Sequence, residues 1–159
     1  TAPAPLGINE NHLRLIRRAM FDATNRRRGT AFGSRIIDDA MIMAGKTGTS
    51  QVRRITAEER ASGIVKNEDL PWNRRDHALF VNFAPYEAPK IAVAVVVEHG
   101  GGGSKAAAPI ARDITLRALH GDMPPLEAYP ASVRTRIRTE QSALADRLSG
   151  RATAEDEQA

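Results

Sequence analysis

Two rhythms of apolar residues run through the chain and divide it into helices and strands. Near the start, Leu13, Ile16, Met20 and Ala23 recur every three or four positions, the spacing of one helical stripe, with Arg14, Arg17 and Arg18 facing away. Asn9 offers a side-chain oxygen to cap this helix, and Arg26-Arg27-Arg28-Gly29 ends it. Residues 30–39 keep no period and read as a loop, with Ile36 and Ile37 as possible anchors. Residues 41–52 alternate small and large groups around Gly45 and Gly48, and glycines inside a strand mark a close approach to the backbone.

A second strand is predicted over residues 77–84, where Leu79, Val81 and Phe83 share a face. The Val-rich run 91–98 is a third, and its apolar continuity predicts burial on both faces. Residues 85–90 turn between them, so the pair forms an antiparallel hairpin. After Gly100-Gly101-Gly102-Gly103, residues 105–119 set Ala108, Ile110, Ile114 and Leu119 around a helix closed by His120-Gly121. Pro124-Pro125 breaks the structure, residues 133–148 predict a polar helix, and residues 151–159 a disordered tail. Residues 53–75, polar and charged around a lone Trp72, read as a long excursion between strands and the least ordered internal segment. The fold class predicted is α+β, a three-stranded antiparallel meander flanked by N- and C-terminal helices.

A length of 159 residues suits one folded unit with tails, and no apolar run reaches the ~18 residues of a membrane span. Thr1-Ala2-Pro3-Ala4-Pro5 reads as a cut end, so the natural start, with any membrane anchor, is expected upstream. The absence of cysteine removes disulfides, thiolate zinc sites and cysteine nucleophiles together. Charge is uneven: residues 1–35 hold seven Arg against Glu10 and Asp22, which raises nucleic acid as a partner. An aromatic content of 4% is too thin for base stacking, so the arginines are read as a solvated helix face and no nucleic acid is expected. The tetraglycine lacks the phosphate-loop spacing, His77, His99 and His120 read as structural, and Asp38-Asp39 lacks further ligands. No metal or cofactor is proposed.

The informative tetrad is Lys46-Thr47-Gly48-Thr49. A strand edge with a Lys, flanking hydroxyls and a Gly that admits a ligand's backbone can grip a carboxylate and offer an N–H to an oxyanion. The triplet alone is weak evidence, and its context strengthens it. Gly29-Thr30-Ala31 comes first, then Ala44-Gly45-Lys46-Thr47-Gly48-Thr49-Ser50-Gln51-Val52, then Arg75-Asp76-His77-Ala78-Leu79-Phe80-Val81-Asn82-Phe83-Ala84-Pro85-Tyr86, and finally the Val-rich strand, the glycines and a closing helix. This order resembles the C-terminal half of the transpeptidase domain of the class B penicillin-binding proteins, most of all their cell-elongation members. It covers about residues 8–120. The division it implies is 1–120 as transpeptidase portion and 121–159 as a C-terminal extension, partly helical or disordered.

The resemblance implies a piece of the β-lactamase/transpeptidase-like fold, with these strands in a five-stranded sheet between helical layers, and serine acyl transfer as the chemistry. Lys46 then resembles the lysine that supports the proton network around the serines. Thr47 and Thr49 resemble the hydroxyls that bind the carboxylate of a D-alanyl donor or of a β-lactam, and the Thr49 N–H one half of the oxyanion hole. Gly48 leaves room for substrate along the strand. The implied partners are peptidoglycan stem peptides, β-lactams and the elongation cell-wall machinery; the implied location is the periplasmic face of the bacterial inner membrane. Neither Ser-x-x-Lys nor Ser-x-Asn occurs here, so the nucleophilic serine is absent from this chain and the chain alone is expected to be inactive. Cutting away the cover of the Val-rich strand is expected to make the piece self-associate. The alternative reading is a non-catalytic peptide- or protein-binding module on the same fold.

Overall fold

The structure, a computed structural model, describes residue 4 and residues 7–156. Helix α1 spans Glu10–Asn25, with Asn9 accepting from the Asn11 N–H as its N-cap. Strands β1 (Ala44–Ser50), β2 (His77–Ala84) and β3 (Ile91–Val97) follow, with a short helix α2 (Ala57–Ser62) between the first two. Helices α3 (Ala107–His120) and α4 (Arg134–Asp156) complete the chain, and Gly121 ends α3 in the left-handed region at φ 72°. The sheet is antiparallel in the order β1-β2-β3, the expected meander, with Lys46 opposite Val81 and Thr47 opposite Phe80.

One sheet face carries the core. Ala78, Phe80, Asn82 and Ala84 of β2 point into it, and α3 lies against them through Ala107, Ala108, Ala111 and Leu116. Small side chains on both elements bring helix and strand close, and two polar groups buried between them pair with each other, Asn82 donating to Thr115 Oγ1 at 2.8 Å. Away from Phe83, which Arg17 of α1 overlies, the opposite face is open, with Lys46, Val81, Ala92, Ala94 and Val96 exposed along it. The Val-rich strand therefore differs from its expected burial on both faces. β3 is an edge strand covered on one side only, because nothing among the described residues packs on the other.

Helix α1 meets the sheet along the outer edge of β1. Its only fully buried residue is Thr24, whose hydroxyl accepts from the Gly45 N–H at 2.9 Å and lies 3.3 Å from the Gly45 carbonyl. Asn25 Nδ2 donates to the Met43 carbonyl at 2.9 Å beside it. Two side chains thus replace a neighbouring strand at the start of β1. Arg17, expected outside, faces inward: it donates to the Tyr86 carbonyl at 2.6 Å and sits over the rings of Phe83 and Tyr86. The aromatic bed makes the inward position favourable for a guanidinium, and Ile16 takes the exposed side instead.

The C-terminal residues join the same core. The Ile37 N–H donates to the Ala128 carbonyl at 2.8 Å, and Tyr129 and Ile137 are buried. Tyr129 lies under the buried Arg112 guanidinium, which is paired with Asp113. Burial pushes the Asp113 carboxyl up, with Arg112 opposing. Instead of giving way to disorder at residue 151, α4 continues to Asp156, as its Ala, Arg and Glu composition favours; the last part of the expected tail, 157–159, lies outside the described residues, as does most of the Ala/Pro lead.

Because the Thr24 hydroxyl is buried between α1 and β1, Thr24→Val should leave the Gly45 N–H unpaired and destabilise the protein by roughly 1–3 kcal/mol in denaturant unfolding. Unchanged stability would show that the contact does not hold the helix to the strand.

Candidate active-site strand

The tetrad lies in the middle of β1, and backbone alternation decides what each residue offers. Gly45 turns both its N–H and its C=O outward, to Thr24. In an antiparallel pair every second residue does the same, so Thr47 and Thr49 also present their backbone groups on the outer edge, while Lys46 and Gly48 bond toward β2. Among the described residues, no hydrogen bond from α1 reaches that edge beyond Gly45. The N–H groups of Thr47 and Thr49 and the Thr49 carbonyl are thus available to an added strand, while the Thr47 carbonyl accepts from Lys46 Nζ.

Side chains alternate the other way. Lys46 and Gly48 face the open side of the sheet, Thr47 and Thr49 the side of α3. Lys46 is exposed and its Nζ reaches over the edge to the Thr47 carbonyl at 2.7 Å. Among the described residues it forms no ion pair, so its charge is not neutralised. The Thr47 hydroxyl lies 3.2 Å from that of Thr30, which comes from the turn after α1. Two outward N–H groups, one ammonium and a short row of hydroxyls gather along a single edge, a donor set suited to a carboxylate and to a developing oxyanion.

Sequence reasoning brought Lys46, Thr47, Gly48 and Thr49 to this edge and missed two supports. Thr30 was legible only as part of a resemblance. Gly103 carries no signal in the sequence beyond its place in the tetraglycine, yet it is buried against β1: a Cβ there would meet the Leu79 carbonyl oxygen at 2.3 Å and the Gly48 carbonyl oxygen at 2.7 Å. Only glycine lets the chain entering α3 lie on the backbone of the tetrad. Gly45 is similarly pressed by the Phe80 ring, 2.4 Å from where a Cβ would sit.

The excursion 53–75 is more ordered than expected. Thr56 and Glu59 form a capping box at the start of α2, and Arg53 makes two contacts, 2.7 and 2.8 Å, to the Glu59 carboxylate. Asn67 pairs with Asp76 through both its amide nitrogen and its carbonyl oxygen, and Arg75 binds the carbonyls of Leu70 and Glu68. Polar side chains satisfy the backbone where apolar anchors are few. Asp76 is consumed in this way and makes no bond to His77, whose Nδ1 accepts the His99 N–H at 2.9 Å. A His-Asp base is not formed.

The Thr56 N–H, and after it Arg53, hold the Glu59 carboxyl below the usual carboxylate range. A lowered pKa contributes stability present above the ordinary carboxylate value and lost as pH falls below it. The amide signals of residues 57–62 should therefore lose dispersion below about pH 4 while those of β2 persist, and Glu59→Gln should reduce the pH dependence to the part that Glu58, also lowered by its hydrogen bonds, contributes. Loss of both sets together would contradict a local role for Glu59.

Comparison with known proteins agrees with this geometry. Residues 2–116 match the family model for the penicillin binding protein transpeptidase domain. The chain is 33% identical over 136 residues to the peptidoglycan D,D-transpeptidase MrdA of Haemophilus influenzae, covering 85% of this chain and 20% of that protein. It is 34% identical over 119 residues to MrdA of Escherichia coli K12, covering 74% and 18%. Among solved structures, the complex between penicillin-binding protein PBP2 and MreC from Helicobacter pylori superposes with a TM-score of 0.54 at 31% identity, covering 72% of this chain and 19% of that one. Pseudomonas aeruginosa PBP2 in complex with WCK 5153 gives 0.53 at 34%, covering 76% and 22%. The chain spans about a fifth of the length of the relatives it matches.

Proposed function

The chain belongs to the penicillin-binding-protein transpeptidase family, and we propose that β1 is the substrate-binding strand of a peptidoglycan D,D-transpeptidase. The observation that carries this reading is the open edge at Thr47 and Thr49 beside the unpaired Lys46 ammonium. A stem peptide ending in D-alanine lies along that edge as an added strand, its terminal carboxylate on the hydroxyls of Thr47 and Thr49. A serine oxygen attacks the penultimate carbonyl, the resulting oxyanion accepts from the Thr49 N–H, and terminal D-alanine leaves with a proton. An acceptor amine then displaces the serine and forms the cross-link. Lys46 holds positive potential beside the serine and supports its proton transfers. β-Lactams enter the same groove because they present a carboxylate at the same distance from a reactive carbonyl.

The serine and its activating lysine are supplied by a region of the protein outside these 159 residues, since Ser-x-x-Lys does not occur in them. The cell-elongation machinery is the assigned partner, by likeness to a protein solved with MreC. The assigned location is the periplasmic face of the inner membrane; no helix of the described residues is long and apolar enough to cross a membrane.

In the complete protein, Lys46→Ala should lower acylation by a fluorescent penicillin at least ~100-fold with the melting temperature unchanged, because the side chain is exposed. The 159-residue chain alone should take no label. Near-normal labelling of the variant would reduce the tetrad to a strand end and favour the non-catalytic binding module. The 159-residue chain should also self-associate through the free edge of β3 and the open face bearing Val81 and Val96, 45% and 61% exposed. Sedimentation at micromolar concentration should give dimers or larger species, and a monomer at all concentrations would contradict this.

A further inference from the structure

Thr30 is an exposed residue in the turn after α1, yet its position is closely fixed. The Gly29 N–H donates to the Arg26 carbonyl at 2.8 Å, and the Ala31 N–H to the Ala23 carbonyl at 2.9 Å, with the Ala31 side chain buried. Gly29 lies so close to α1 that a Cβ there would collide with the carbonyl oxygens of Asp22 and Ala23, so a larger residue could not fold back on the helix in this way. The same end of α1 is bonded to β1 and the residue before it, through Thr24 to Gly45 and Asn25 to Met43. A chain of hydrogen bonds therefore runs from β1 through α1 to Ala31 and sets Thr30 beside Thr47.

At the end of that frame the hydroxyls of Thr30 and Thr47 lie 3.2 Å apart, and neither has another hydrogen-bond partner among the described residues. A threonine hydroxyl has one proton to give and lone pairs to accept with, whereas an ionised carboxylate only accepts. For Thr47 to grip a carboxylate, its one proton must point at the ligand. Its bond to Thr30 then survives only with Thr30 as the donor. The opposite arrangement, Thr47 donating to Thr30, turns the Thr47 proton away from the groove. An arriving carboxylate selects the first arrangement, because a hydrogen bond to a charged acceptor is the stronger one and a hydroxyl that accepts becomes a better donor in turn.

We propose that Thr30 is a positioning residue for the substrate carboxylate: its hydroxyl donates to that of Thr47 and directs the Thr47 proton to the ligand. The proposal rests on the reading of β1 as the substrate strand. Thr30 acts without touching the substrate, so its effect exists only through Thr47. The two hydroxyls of the strand differ accordingly. That of Thr47 is held before the ligand arrives, while that of Thr49, with no hydrogen bond among the described residues, turns to follow the ligand.

The test uses the complete protein, a fluorescent penicillin and the methyl ester of that penicillin's carboxylate, with the second-order acylation rate measured for each. Thr30→Val keeps the shape of the side chain and removes the hydroxyl, while Thr30→Ser keeps the hydroxyl. Thr30→Val should slow acylation by the acid about tenfold at unchanged melting temperature, and Thr30→Ser should stay within about twofold of the unaltered protein. The ester carries no charge to orient the two hydroxyls, so its rate should be the same with Thr30→Val as without it. Added to Thr47→Val, Thr30→Val should slow the acid no further. Unimpaired acylation by the acid in Thr30→Val, beside a clear loss in Thr47→Val, would overturn this proposal alone. Equal losses for acid and ester would reduce Thr30 to a structural role, and a loss that adds to that of Thr47→Val would make it a direct contact; either result overturns the proposal. Normal acylation by Thr47→Val would refute the reading of β1 and the proposal with it.

Discussion

An edge strand in an antiparallel sheet must leave every second N–H and C=O without a strand partner, and this molecule divides that row in two. At Gly45 the row is closed by the Thr24 hydroxyl, buried at the end of α1. From Thr47 onward it is open. A free edge is a hazard for aggregation, and on β1 the hazard is confined to a stretch flanked by a charge and by hydroxyls, which suits a peptide of matching polarity better than another sheet. The helix fixes where the usable edge begins, and the chemistry of the strand follows from that boundary.

The second constraint is depth. For the Gly-rich turn to cross behind the tetrad, two backbones must touch, and they do so at Gly48 and Gly103. This contact ties the entrance of α3 to the strand, so the helix that covers the core also fixes the backbone of the tetrad from behind. Core packing through Ala107, Ala108 and Ala111 and placement of the site are consequently one problem. A larger side chain at any of these positions would lift the helix and move both.

The sequence made the strands legible because each keeps its own signature: alternation in β1, a hairpin between β2 and β3, and apolar continuity in β3. Residues 77–84 were placed without error for that reason. What periodicity does not report is which partner arrives. Ile91, Val93, Val95 and Val97 share the core-facing side of β3, but Ala92, Ala94 and Val96 are apolar with nothing packed on them, so burial on both faces was expected where only one exists. Arg17 was assigned to solvent by charge, while Phe83 and Tyr86, more than sixty residues away, decide otherwise. Order in residues 53–75 rests on polar pairs such as Asn67 with Asp76, which leave no apolar rhythm to read. Lys46, Thr47, Gly48 and Thr49 were legible as a motif; their edge orientation required the pairing register with β2.

The central claim is that the outer edge of β1 receives the substrate, and a crystal structure of the complete protein acylated by a β-lactam tests it most directly. The account requires the ligand's carboxylate within hydrogen-bond distance of the Thr47 and Thr49 hydroxyls and its acyl oxygen on the Thr49 N–H, with α1 still capping Gly45. An adduct whose carboxylate and acyl oxygen lie away from that edge would contradict it.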